Sequence, residues 1–276
     1  MFKNLIFLFL ILFSALCLGQ KERTFFAGVN VGVKFANKNY AQRYNGVYQA
    51  KLEQTIYQQN NYDRIYTALG DKNFQLPYDA YPANIRYSPG LVTGVTVGYK
   101  ISPNLQANID ANFSKLKVRD VFSIEVFDPA NSTSQEQYQL GELYAEESRF
   151  NGRFNFDYIF HQEKVNYILG LSGIFTAWRI DQHIAIFRDL QMPLFSAHNP
   201  NNNIVNKISG SGWGGGLNLG IEYRVNEKIV AQLMYQPYMT RVDYFNTKNT
   251  IENLGSAYVP DKFRLEHDLT LRFLWK

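Results

Sequence analysis

The feature that most constrains this chain is an alternation of apolar and polar residues, sustained over segments long enough to cross a bilayer and repeated along the sequence. In Phe25 to Ala36, Phe25, Ala27, Val29, Val31, Val33 and Phe35 share one face, and Gly28, Asn30, Gly32 and Lys34 share the other. Successive side chains of a strand point to opposite faces, so this pattern predicts an extended segment with one greasy and one polar side. It is also longer than the five or six residues of an ordinary soluble strand.

The pattern recurs in three hairpins and a last strand. Leu91, Val95, Val97, Tyr99 and Ile101 lead through Ser102-Pro103-Asn104 to Leu105, Ala107, Ile109, Ala111 and Phe113. Phe150, Phe154, Phe156, Tyr158 and Phe160 turn at His161-Gln162-Glu163-Lys164 into a strand from Val165 to Ala177, where Ile168, Ile174 and Trp178 blur the polar face. A Gly-rich strand from Gly210 to Val225 returns from Ile229 to about Val242, and Phe263, Leu265, His267, Leu269, Leu271, Phe273 and Trp275 end the series. Three links are tight turns, and the remaining four, about 37 to 88, 116 to 148, 181 to 208 and 243 to 262, are long. Short and long links alternate, as they must when turns and loops lie at opposite ends of one closed sheet.

No run of about 20 apolar residues occurs after residue 20, so insertion into a membrane has to use strands. In hydrocarbon each unpaired backbone group costs several kcal/mol, and only a closed sheet leaves none unpaired. The expectation is therefore an all-β fold: an eight-stranded antiparallel up-and-down transmembrane β-barrel with long extracellular loops. Composition agrees, with 19 Tyr, 21 Phe and 19 Gly at a mean hydropathy of −0.28, because only alternate residues face lipid while aromatic girdles raise Phe and Tyr.

At the N-terminus Lys3 precedes an apolar run from Leu5 to Leu18 that breaks at Gly19-Gln20. The run is too short for a spanning helix and reads as a secretory signal peptide, residues 1–19, which leaves 20–276 as a single barrel domain. Acylation at Cys17 is the weaker alternative, because Leu16 is bulky where a small residue should precede the cysteine. With Cys17 removed, the mature chain has no thiol for a disulfide, a nucleophile or a metal. The net charge of +4 is spread without a basic stripe, which excludes a nucleic-acid role.

The interior of an eight-stranded barrel is just wide enough for side chains. Its expected charges carry both signs: Lys34, Lys100, Arg149, Arg153, Arg224, Arg264 and Arg272 against Asp110, Asp157, Glu222, Glu266 and Asp268. Buried charges must pair, so a salt-bridged plug is expected, with the glycines of the sixth strand making room for long Arg or Tyr side chains. In the first long loop Tyr44, Val47, Tyr48, Leu52 and Ile56, then Tyr62, Ile65, Tyr66 and Leu69 before Gly70, lie at helical spacing and predict an ordinary loop helix outside the membrane, with a helical cap, a tucked-in hairpin or a Tyr-rich partner-docking face as the other readings.

Chemistry finds little purchase. A barrel hydrolase needs a His near a Ser or carboxylate at the outer end. His161 falls in a turn and His267 on the lipid face, leaving His183 and His198, with Asp181 and Asp189 as conceivable partners. Ser209 to Gly216 is Gly-rich but lacks the ending of a phosphate loop, and Asn131-Ser132-Thr133 is an uninformative glycosylation match. No enzyme, metal or cofactor is expected.

The Gly-rich first strand, the stretch Asn84 to Leu91 running into Val95-Thr96-Val97-Gly98-Tyr99, and the C-terminal Leu269 to Trp275 resemble the small outer-membrane β-barrel proteins of Bacteroidota, the PorT-like group included. The resemblance implies outer-membrane location, and some relatives serve secretion and gliding. The aromatic assembly signal is offset by the final Lys276. The expected role is that of a non-enzymatic envelope component, held in outer-membrane lipid and binding protein partners through its loops or turns. A narrow channel or small-molecule binder, and an outer-membrane hydrolase, are the alternatives.

Overall fold

The computed structural model describes residues 24–47, 52–127, 137–194, 209–244 and 263–275. The expected signal peptide with its cleavage point, Tyr48, the Asn131-Ser132-Thr133 motif, His198 and Lys276 lie outside these residues.

Among the described residues, eight long strands form the ring: β1 (Thr24–Phe35), β3 (Tyr87–Ser102), β4 (Leu105–Phe127), β5 (Gln137–Phe160), β6 (Asn166–Phe187), β8 (Ser209–Arg224), β9 (Ile229–Tyr244) and β10 (Arg264–Trp275). Each pairs antiparallel with the next, and β1 closes on β10 from Ala27↔Trp275 to Phe35↔His267. Two short strands stand beside the ring: β2 (Asn73–Gln75) pairs with the far end of β4, and β7 (Leu190–Pro193) folds back on β6. The fold is an eight-stranded antiparallel up-and-down transmembrane β-barrel, with tight turns at one end and long connections at the other.

Its outer surface carries an apolar belt. Phe25, Val29, Leu91, Val95, Ile109, Leu171 and Trp213 all point outward and are exposed. On β4 the belt runs from Leu105 to Phe113, about 27 Å along the strand at ~3.4 Å per residue and roughly 20 Å in height once tilted, close to the ~25 Å apolar band of a membrane barrel.

Two expectations about the strands need correction. The link placed at 116 to 148 is largely strand, and the one placed at 181 to 208 begins as strand: β4 and β5 stay paired to Val126↔Gln137, and β6 runs on to Phe187 before β7 folds back. The reason lies in the pattern. Up to Ser114 the even positions of β4 are polar and inward and the odd ones apolar and outward; from Lys115 the signs reverse, with Lys115, Lys117 and Arg119 outward and Leu116, Val118, Phe122, Ile124 and Val126 buried. The strand leaves a lipid surround and enters an aqueous one, so its inside becomes apolar. The second correction concerns Ile101, expected to face lipid. A register shift between Lys100 and Ser102 turns it inward, where it is buried. Ile168, Ile174 and Trp178, which blurred the face of β6, are all interior.

The inverted ends of β4, β5 and β6, with β2 and β7, make a five-stranded sheet standing above the belt. Its inner face packs against α2 (Leu52–Ile56) and α3 (Gln59–Ala68). Leu52, Ile56, Ile65, Leu69 and Phe74 meet Phe122, Ile124, Leu143, Ala185, Phe187 and Met192 in a core like that of a soluble protein. Full burial of such a side chain is worth about 1.5–3 kcal/mol. α3 keeps the spacing seen in the sequence and ends in a left-handed Gly70 (φ 74°), with Gly70 N–H donating to Thr67 O and Asp71 N–H to Tyr66 O, a Schellman closure. The expected helix through Tyr44 and Val47 is instead broken: α1 (Lys38–Ala41) passes into a 3₁₀ turn (Gln42–Tyr44), Gly46 is left-handed (φ 80°), and Val47 is exposed.

Candidate functional site

The inner face of the barrel is polar because the outer face has taken the apolar residues, and antiparallel register sets opposite charges side by side. Lys34 on β1 is the partner of Asp268 on β10, and Asp110 on β4 the partner of Arg153 on β5. The side chains then reach further. Arg153 bonds Asp268, and Arg149 Nη1 lies 2.5 Å from Glu266 Oε1. β5 and β10 stand opposite each other in the ring, so both pairs cross its full width.

Around these struts the network is continuous. Lys34 Nζ bonds the Tyr238 hydroxyl and lies 3.6 Å from Asp268 and 3.8 Å from Glu266. Tyr238 O–H donates to Glu266 Oε2 at 2.9 Å. Lower in the barrel, Asp110 accepts from Arg272 (2.6 Å), Thr96 (2.5 Å) and Asn155 (2.8 Å). Asp157 accepts from Asn108 (2.8 Å), Gln106 (3.2 Å) and Asn218 (2.7 Å), and Glu222 from Gln232 (2.8 Å) and Asn166 (3.0 Å). At the turn end the interior closes with Phe26, Val230 and Leu274. There Gly98 makes room for the Phe26 ring: a Cβ on it would sit 2.3 Å from Phe26 Cζ. On β8, Gly216 does the same for Tyr238, whose own Cβ would be 2.6 Å from an added one.

Of the charged residues expected inside, Lys34, Asp110, Arg149, Arg153, Asp157, Glu222, Glu266, Asp268 and Arg272 are buried together. Lys100, Arg224 and Arg264 are not. They keep the inward parity, but Lys100 and Arg224 fall at the turn end of their strands and Arg264 at the first position of β10, so Arg224 is exposed and the other two are half-buried. Parity sets the side of a sheet, whereas burial also depends on height. Tyr238 and the amides at 30, 108, 155 and 218 belong to the network too, and shared parity is the signal that could have placed them there.

Sequence reasoning missed the lid. Asn37 caps α1, its side chain accepting from Asn39 N–H at 2.9 Å, while its own N–H donates to Glu266 Oε1 at 3.2 Å. Tyr40 O–H donates to Thr240 O at 3.2 Å. Arg43 is buried with its guanidinium 4.4 Å from the centre of the Trp178 ring and 3.9 Å from Glu147. Tyr44 and Tyr87 both donate to Glu147 Oε2, at 2.6 and 2.7 Å, and Arg149 bonds the other carboxylate oxygen. The segment from Asn37 to Asn45 therefore lies across the loop end, tied to β3, β5, β6, β9 and β10. Among the described residues, six buried carboxylates (Asp110, Glu147, Asp157, Glu222, Glu266, Asp268) face five buried cations (Lys34, Arg43, Arg149, Arg153, Arg272).

Among the described residues the histidines do not assemble a reactive centre. His161 Nε2 sits 2.8 Å from Pro103 O in a turn, and His267 stacks on Tyr235 on the outer face. Asp181 pairs with Arg179 and Ser148, and Asp189 is exposed in the β6–β7 turn. His183 is buried in the outer core with the Tyr44 ring edge-on at 5.2 Å. No group of three metal-ligating side chains occurs among the described residues.

Burial lowers the His183 pKa to about 4, with a backbone hydrogen bond involving Tyr44 acting weakly the other way. The ring is thus neutral in the folded cap, while the unfolded segment protonates near pH 6.5. Between those values the unfolded state holds the extra proton, so cap stability is complete above about pH 6.5 and falls as the pH drops toward 4. Limited proteolysis of loop residues should accelerate from pH 7 to pH 4.5, and a His183→Phe variant should lose that acceleration. Equal cleavage rates at both pH values in the native protein would contradict the buried placement of the ring.

No family model matches the chain, and no curated protein matches it. Among solved structures it is similar to the crystal structure of Neisserial surface protein A, with 9% identity and a TM-score of 0.43 over 93% of this chain and 99% of that one. At that level of likeness no role passes from one protein to the other.

Proposed function

We propose that this chain is an integral outer-membrane protein without enzymatic activity, in which a sealed barrel anchors a projecting sheet that binds protein partners of the cell envelope. The observation that carries this reading is the pair of ionic struts, Arg149 to Glu266 and Arg153 to Asp268, which cross the lumen beneath the Asn37 to Asn45 lid. A lumen filled in this way has no path for a solute. Among the described residues, the sheet above the belt offers an outward face that exposes Val121, Leu140, Tyr138 and Phe127. Apolar and aromatic residues without a lipid cover are what protein interfaces use. The finer setting, an accessory part of a secretion or gliding machine, draws support from the resemblance to PorT-like barrels.

Two measurements test the proposal. In planar bilayers the purified protein should pass no steady current, and a sustained conductance would replace the anchor with the channel reading. A photo-reactive residue at Leu140 should crosslink a protein in intact cells, whereas one at Leu171, inside the belt, should crosslink only lipid. If Leu140 captures no protein, the partner-binding role is lost.

A further inference from the structure

Directly above Phe113, the last belt residue of β4, three cations point outward at alternate positions: Lys115, Lys117 and Arg119, with side chains 48%, 56% and 69% exposed. Their carboxylate partners stand on β5. Glu146 is shared, 2.5 Å from Lys115 Nζ and 3.5 Å from Lys117 Nζ, and Glu142 lies 2.6 Å from Arg119 Nε. One carboxylate between two ammonium groups leaves a surplus positive charge, and each ammonium carries three donors. Tyr144, between the two glutamates, has the Arg119 guanidinium 5.7 Å from its ring centre and its hydroxyl bonded to Glu146. Hydrogen bonds from Lys115 and Tyr144 hold the Glu146 carboxyl below its usual range, so it stays ionised and cannot release the lysines by taking up a proton.

These groups occupy the layer directly above the apolar belt, Lys115 lowest and Arg119 about 14 Å further along β4 at ~3.4 Å per residue, and that layer in a bilayer is occupied by headgroups. We propose that Lys115, Lys117 and Arg119 form a binding site for the phosphates of outer-leaflet lipid headgroups, with the acyl chains of the same lipid lying on the belt below. The proposal rests on the membrane reading given above. Charge complementarity and continuity with the apolar surface both select a lipid: a soluble anion would use the cations alone, whereas a phosphorylated lipid uses both bands. Basic residues next to a bilayer attract anionic lipid additively, and the attraction weakens with salt.

The experiment uses the full-length protein folded in detergent micelles and native mass spectrometry, with a bisphosphorylated diglucosamine lipid as probe. The native protein should retain this lipid on the order of a hundredfold better than the triple variant Lys115→Gln, Lys117→Gln, Arg119→Gln, about fivefold for each of the three lost cations. A charge-preserving variant, Lys115→Arg with Lys117→Arg, should retain it as the native protein does. The same lipid stripped of phosphate should bind both proteins alike, and excess inorganic phosphate should fail to displace the intact lipid. Equal retention by native and triple-variant protein, retention independent of lipid phosphate, or displacement by inorganic phosphate would each overturn the site. Failure of the membrane reading looks different: the native protein would then show no boiling-dependent gel shift and would not enter vesicles. Should the triple variant not fold, the single Lys117→Gln and Arg119→Gln variants give the same comparison.

Discussion

Replacing Glu266 with alanine should destabilise the folded barrel by about 3–5 kcal/mol, the cost of removing one partner from a buried ionic network. Glu266 Oε1 holds Arg149 at 2.5 Å and the Asn37 backbone N–H at 3.2 Å, while Oε2 accepts from Tyr238 at 2.9 Å and faces Lys34 at 3.8 Å. Its loss would leave Arg149 with Glu147 alone and Lys34 with Asp268 alone, and would leave the lid tied to β10 only through Asn37 Nδ2 donating to Leu265 O at 3.0 Å. Urea titration in lipid vesicles, read by the mobility difference between folded and unfolded chains, measures the effect. The double variant Glu266→Leu with Arg149→Met should recover part of it, since removing both partners of a buried pair is far less costly than removing one. A single variant within about 0.5 kcal/mol of the native protein, the range of an ordinary surface change, would show that the interior is hydrated rather than packed with paired charges.

Arginine at Leu171 should cost about 2–4 kcal/mol, while arginine at Val121 should cost close to nothing. Both residues are apolar, outward and exposed, at 64% and 52%. They differ only in height. Leu171 lies inside the belt and faces hydrocarbon, where a guanidinium loses its hydration; Val121 lies beyond Lys115 and Arg119, in water. The same titration compares them, and equal costs at the two sites would show that the band of Lys115 is not the edge of the lipid.

How much of this was legible in the sequence depended on whether a residue type reports its surroundings. Alternation gave the eight strands and three hairpins, because a barrel strand in lipid sorts side chains by parity over its whole length. The same reasoning stopped at residue 116 on β4, although the strand runs to Phe127. There the polar face turns apolar and the outward face charged, so a search for one continuous pattern reads an ending where only the solvent has changed. Ile101 was misplaced for a local reason, a register irregularity that reverses parity at a single point. For the interior, parity chose the inward charges but not their depth, which is why Lys100, Arg224 and Arg264 were grouped with residues that are buried. The lid was least legible. Arg43, Tyr44 and Glu147 lie more than 100 residues apart at the extremes, and nothing in short-range spacing announces that they meet.

The reversal of polarity between Ser114 and Lys115 also fixes how such a chain tolerates change in length. Because the pleat repeats every second residue, excising two residues of β4 between Leu116 and Phe127, together with their partners on β5, should lower the crown by about 7 Å and leave each remaining side chain on its own side. Excising one would turn the crown inside out, setting its greasy lining in water and its ionic coat against the helices. Insertions and deletions between related chains should therefore come in even numbers along this ribbon, a parity rule that a comparison of lengths alone could verify.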